Sequence, residues 1–104
     1  MRRAARWDGV VPLFVNARHG EVPPVDEVRD LVAYVDRHRE DRRRPFDVVL
    51  GGRTPGDRVK AGAVIRPLAE AGATWWDERQ VQTTADLDRL TPVLRRIAAG
   101  VPDL

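Results

Sequence analysis

The run Phe46-Asp47-Val48-Val49-Leu50-Gly51-Gly52-Arg53-Thr54-Pro55-Gly56 constrains this chain more than any other stretch. Its contiguous aliphatic residues read as one short buried strand. Gly51-Gly52 ends the strand. Thr54-Pro55-Gly56-Asp57 is turn chemistry that closes on Asp57, a helix N-cap residue type. A helical pattern precedes the run, another follows it, and each borders a further strand-like stretch. That alternation predicts an α/β fold of parallel strands joined by crossover helices.

Upstream, Arg2 to Arg6 reads as a short helical turn before Trp7-Asp8-Gly9. Val10-Val11-Pro12-Leu13-Phe14-Val15 reads as the first strand, with Pro12 at its end or at a bulge because proline cannot donate to a ladder. Asn16 to Glu21 is polar and holds Gly20, which reads as a loop. Pro23-Pro24 sets up a helix over Val25 to Arg39. Asp26 and Glu27 suit its first turn, and Val25, Val28, Leu31, Val32 and Val35 recur at steps of three and four.

A second helix is expected over Arg58 to Ala71, with Ala61, Val64, Ile65 and Leu68 on one face. Gly62 and Pro67 weaken it, and Gly72 marks a left-handed C-terminal cap. Ala73-Thr74-Trp75-Trp76 is the third strand, ended by Asp77-Glu78-Arg79. Thr83-Thr84-Ala85-Asp86 resembles a capping box before a last helix carrying Leu87, Leu90, Val93, Leu94 and Ile97. Pro92 kinks or restarts that helix, with Thr91 as a second cap. The expected architecture is one domain, residues 1–104, of three consecutive parallel βα units.

Composition narrows the function classes. The chain has no cysteine, which excludes disulfides, thiolate metal sites and cysteine nucleophiles. Eighteen cationic residues, all but Lys60 arginine, are offset by 16 acids, leaving a net charge of +2. The densest basic run, Arg37 to Arg44, has Glu40 and Asp41 in its middle. It reads as a solvated helix end and linker, and nucleic acid is not an expected partner. No segment approaches the roughly 18 apolar residues of a membrane span, and no signal peptide follows Met1-Arg2-Arg3, so a cytoplasmic location is the expectation.

Ligands of parallel α/β folds meet the carboxyl ends of the strands. Three loops qualify: Asn16 to Val22, Gly51 to Asp57, and Asp77 to Thr83. Gly51, Gly52, Arg53 and Thr54 offer backbone N–H groups, a guanidinium and a hydroxyl ahead of a helix N-terminus, a set suited to an anion. They match neither the dinucleotide fingerprint nor the P-loop, and an ordinary tight β-to-α turn is the simpler account of them. Asp77, Glu78 and Arg79 place two carboxylates and a cation at a strand end, as an acid/base pair or as an ion pair that orders the loop. His19 is a candidate proton carrier or substrate contact. His19 and His38 lack metal-ligand spacing, so no metal site is expected.

Taken together, Arg3-Ala4-Ala5-Arg6-Trp7-Asp8-Gly9-Val10, Pro24-Val25-Asp26-Glu27, Asp47-Val48-Val49-Leu50-Gly51-Gly52 and Gly72-Ala73-Thr74-Trp75-Trp76-Asp77-Glu78 resemble the C-terminal part of luciferase-like monooxygenases. That family is built on a TIM barrel and uses FMN or a deazaflavin. The resemblance implies that this chain corresponds to the last three of eight βα units, as a fragment or truncated homologue of such an oxidoreductase. It also implies that most of the cofactor site lies on units this chain does not supply, so turnover by the chain alone is not expected. Gly51, Gly52, Arg53, Thr54, Glu78, Arg79 and His19 would be its contribution to the cofactor or substrate mouth. The alternative is a non-catalytic α/β module that self-associates or pairs with a complementary barrel part, because three parallel strands leave two open edges.

Overall fold

The computed structural model describes residues 2–18, 20–79 and 89–104. A 3₁₀ turn, Ala4–Arg6, leads into strand β1, Gly9–Val10. Helix α1, Val25–His38, strand β2, Asp47–Gly52, helix α2, Arg58–Glu70, strand β3, Trp75–Glu78, and helix α3, Thr91–Ala98, follow in order. The three strands are parallel and lie in the order β1-β2-β3. Gly9 pairs with Asp47 and Val10 with Val48; Val49 to Gly52 pair with Trp75 to Glu78.

The first strand is much shorter than the apolar run Val10 to Val15 suggests. The ladder stops at Val10, one residue past which comes Val11 and then Pro12, whose missing N–H cannot extend it. The third strand is shifted the other way. It begins at Trp75 rather than Ala73 and runs through Asp77 and Glu78, because the two carboxylates have partners that let them stay in the sheet. The expected capping box Thr83 to Asp86, and Leu87, lie outside the described residues. Helix α3 starts at Thr91, expected as a cap but here the first helical residue, with Pro92 in its first turn. Leu90 is its N-cap and gives no side-chain hydrogen bond.

Helix α1 closely follows its pattern. It starts after the extended Pro24, holds Asp26 and Glu27 in the first turn and Arg37 and His38 in the last, and buries Val28 and Val35. Beyond its end, arginines fold back on local carbonyls: Arg42 Nε donates to Asp36 O at 3.1 Å, and the Arg39 guanidinium stacks 5.0 Å from the Phe46 ring centroid. Asp57 caps α2 as expected, its side chain accepting from Lys60 N at 2.9 Å. Pro67 is carried inside α2 without ending it. Gly72 follows in the left-handed half of backbone space (φ 119°), and Ala73 N reaches back to Leu68 O at 3.0 Å, which closes the helix end. Gly72 also meets α1, since a Cβ there would lie 2.9 Å from both Val32 methyl carbons.

The core reveals how the helices are arranged. Val48 and Leu50 alternate along β2 and pack with Val28 of α1 and with Leu68 of α2 in one buried cluster, against which Trp76 also packs. Both crossover helices therefore cover the same face of the sheet, the face that Val48, Leu50 and Trp76 share. The opposite face carries half-buried Val49 and exposed Trp75. Among the described residues, the helices that pack on β2 stand on the side of Val48 and Leu50. No described helix is long and apolar enough to cross a membrane.

Candidate functional site

Two different constellations form at the carboxyl ends of the strands, one on each face of the sheet. The boundary between them is the Gly51-Gly52 pair. Gly52 shares the helix-covered face with Leu50. The loop after β1 crosses directly over it, so that a Cβ on Gly52 would lie 3.0 Å from Val22 N and Cα. Arg53 N donates to Gly20 O at 2.8 Å and pins that loop. Gly51 faces the open side, where a Cβ would lie 2.6 Å from Arg79 Nε and 3.0 Å from Asp77 O. Glycine at both positions thus serves close approach, one to a neighbouring backbone and one to a guanidinium.

Beside Gly51 at the strand ends lies a pocket of about 360 Å³ whose lining includes Leu13, Arg18, Glu21, Leu50, Gly51 and Arg79. That volume lies within the range of small-molecule sites, about 300–1,000 Å³. Arg79 is held across the end of β2 by its backbone N–H, which donates to Gly52 O at 2.8 Å, and by Asp77, whose carboxylate lies 3.3 Å from Arg79 Nε. The loop bearing Arg18 is ordered by Glu21, which accepts from Arg18 N at 2.9 Å and also lines the pocket. Apolar walls with two arginines fit a ligand that has a planar or aliphatic part and an anionic group.

On the covered side the chemistry is different. Glu78 accepts from Thr54 N (2.9 Å), from Thr54 Oγ1 (2.8 Å) and from Trp76 Nε1 (2.9 Å). Arg96 of α3 brings Nε to 3.3 Å from Glu78 Oε1 as an ion pair without hydrogen-bond alignment, and its Nη2 lies 3.3 Å from Thr54 Oγ1. Thr54 is buried, and the Glu78 and Arg96 side chains are only 21% and 14% exposed. Burial works against charge on Glu78, but the donors from Trp76, Thr54 and Arg96 outweigh it and hold the carboxyl below its usual range. A carboxylate so fully donated to stays ionised near neutrality and has no proton to give. Glu78 is therefore an anchor that fixes α3 to the sheet.

The expected site residues are divided by this geometry. Gly51 and Arg79 meet in the open pocket. Thr54 and Glu78 meet in the covered cluster, away from it. Arg53 is exposed between them, with its backbone committed to Gly20, and Gly52 is packed under the β1 loop. His19 lies outside the described residues. Asp77 and Glu78 do not form an acid/base couple: each pairs with a different arginine, Arg79 and Arg96. Sequence reasoning overlooked Arg18 and Arg96. Arg96 sits one turn after Val93 on the half-buried side of α3, and a cation on an inward helical stripe was the available signal. Among the described residues, no group of three or more His, Cys, Asp or Glu side chains could hold a metal ion.

No protein-family model, curated protein or solved structure matches this chain.

Proposed function

We propose that the chain supplies part of the cofactor mouth of a flavin- or deazaflavin-dependent, luciferase-like oxidoreductase, corresponding to the last three βα units of its barrel. The observation that carries this reading is the pocket on the open side of the strand ends, where Gly51 makes room for Arg79 opposite Arg18. The sequential strand order and the helices gathered on one face agree with a singly wound barrel segment, in which ligands meet the carboxyl ends of the strands. When bound, a flavin or deazaflavin would supply hydride transfer. In this chain Arg79 and Arg18 would hold an anionic group of the cofactor, and Pro12, Leu13 and Phe14 would shield its apolar part from water. Glu78, Thr54 and Arg96 would hold the third unit in place behind the site. Without the remaining units the chain binds and positions but does not turn over.

Titration of the purified chain with FMN and with a deazaflavin, followed by the cofactor's own fluorescence, tests the reading. Saturable binding that Arg79→Ala weakens about ten-fold or more, in line with the loss of one charge-assisted contact, is the expected result. Absence of binding at millimolar cofactor, or binding indifferent to Arg79, favours the non-catalytic module instead.

A further inference from the structure

We propose that this chain assembles head to tail with further copies of itself, the edge formed by β3 and α3 of one copy docking onto the edge formed by β1 and α1 of the next. The proposal is independent of any cofactor and stands or falls separately from the functional reading. Three observations carry it.

The first is the sheet. Among the described residues, the outer strands of the order β1-β2-β3 have a partner on one side only, and both pairings are parallel. The outer edge of β3 is four residues long and that of β1 two, and each offers its backbone donors and acceptors to a further strand. A β1 added in parallel beside β3 of another copy repeats the relation that β2 already has to each.

The second is that the two edges differ and are complementary. Beside β1 lies an open groove of about 620 Å³ between Leu13 and Val15 on one side and Leu31 and Tyr34 of α1 on the other, rimmed by Glu27 and Asp30. Leu13 and Val15 are 87% and 99% exposed. At the other end of the sheet α3 buries no residue and presents a ridge of exposed Leu90, Leu94 and Ile97, bordered by exposed Arg89 and Arg95. An apolar ridge with basic borders matches an apolar groove with an acidic rim. Groove on groove, or ridge on ridge, would set like charges against each other, so the contact is heterologous and not a two-fold one.

The third is area. The chain exposes 7739 Å², against roughly 5,900 Å² expected for a compact monomer of 11.7 kDa. The excess is of the order that two standard contacts remove from one molecule, about 800 Å² on each side.

Sedimentation of the full chain from micromolar to millimolar concentration, at low and high salt, reads the assembly. The average mass is expected to rise with concentration and to fall as salt screens the charged rims. Leu13→Asp and Leu94→Asp change exposed side chains, and circular dichroism confirms that each variant folds. Each alone is expected to sediment as a monomer, its dissociation constant raised about ten-fold or more by the lost apolar contact. Mixed one to one, they are expected to form a dimer that grows no further, because one copy keeps its ridge and the other its groove. Asp30→Arg and Arg95→Asp are each expected to weaken assembly, and the double variant to recover it. A wild-type chain that stays monomeric at millimolar concentration overturns the proposal. So does an unchanged dissociation constant in either aspartate variant, or a mixture of the two folded variants that assembles no better than each alone.

Discussion

Replacing Glu78 with glutamine tests how much of this small fold hangs on one carboxylate. The substitution keeps shape and volume but removes the charge and converts one acceptor oxygen into an amide donor. Oε1 receives Thr54 N and faces Arg96 Nε; Oε2 receives Thr54 Oγ1 and the Trp76 indole N–H. If the amide nitrogen replaces Oε2, the threonine hydroxyl can turn to accept, but the indole N–H loses its acceptor. If it replaces Oε1, the Thr54 backbone N–H is orphaned and Arg96 faces another donor. Either way one buried donor is left unpaired, at about 1–3 kcal/mol, and Arg96 loses its counter-charge. A destabilisation of about 2–4 kcal/mol is expected, a large share of the roughly 5–15 kcal/mol that domains possess. Urea unfolding at pH 7 should show a lower midpoint with an unchanged slope.

The pH dependence supplies an internal check. The folded-state carboxyl lies below its unfolded value of 4.5, so its stabilisation is fully present above that pH. It is lost as pH falls through the folded value. The wild-type protein should therefore shed stability faster than Glu78→Gln below about pH 4.5, and the two curves should converge in acid. A loss under about 0.5 kcal/mol at neutral pH, or parallel curves in acid, would refute the claim that the cluster is buried and donor-saturated, since exposed pairs contribute that little.

Two further substitutions probe the second helix. Asp57→Ala removes the only side-chain bond to Lys60 N at the start of α2 and should cost about 1 kcal/mol in urea unfolding; a change near zero would mean the cap is made by solvent equally well. Gly62→Ala would put a Cβ 1.6 Å from Asp103 O, a backbone atom, so the C-terminal segment must leave its seat on α2. Its Asp103 N to Arg58 O bond (3.0 Å) and Arg58 Nε to Val101 O bond (2.7 Å) should open, seen as faster amide exchange at Asp103. Because alanine also gains about 1 kcal/mol of helix propensity over glycine, global stability should change little; unchanged exchange at Asp103 would contradict the seating.

What the sequence made legible was local. The span of α1, the cap on Asp57, the left-handed glycine after α2 and the central strand all follow from neighbouring residues, because caps, periodicity and turn chemistry act within a few positions. What it hid was pairing across distance. Nothing near Glu78 says that Arg96 will reach it, and without that partner two consecutive carboxylates read as the end of a strand instead of its last residues. The first apolar run sets five aliphatic and aromatic residues around one proline, and its composition suggests a longer strand than forms. The ladder is decided by the N–H that Pro12 lacks, and not by how apolar the run is.

The same division explains why the Gly-Gly turn was suggestive but not decisive. Side chains on adjacent strand residues point to opposite faces, so Gly51 and Gly52 open two separate spaces. Grouping Gly51, Thr54, Glu78 and Arg79 as one site ignored that alternation. Once it is applied, the polar groups fall into an anchor behind the sheet and a pocket before it. Thr54 and Glu78 direct their hydrogen bonds at each other, Trp76 and Arg96, which ties them to the frame. Among the described residues the Arg79 side chain pairs with Asp77 at 3.3 Å, and it lies over Gly51 and lines the cavity there. The face of the sheet a residue takes, more than its type, separates the residue that could bind from those that hold the frame.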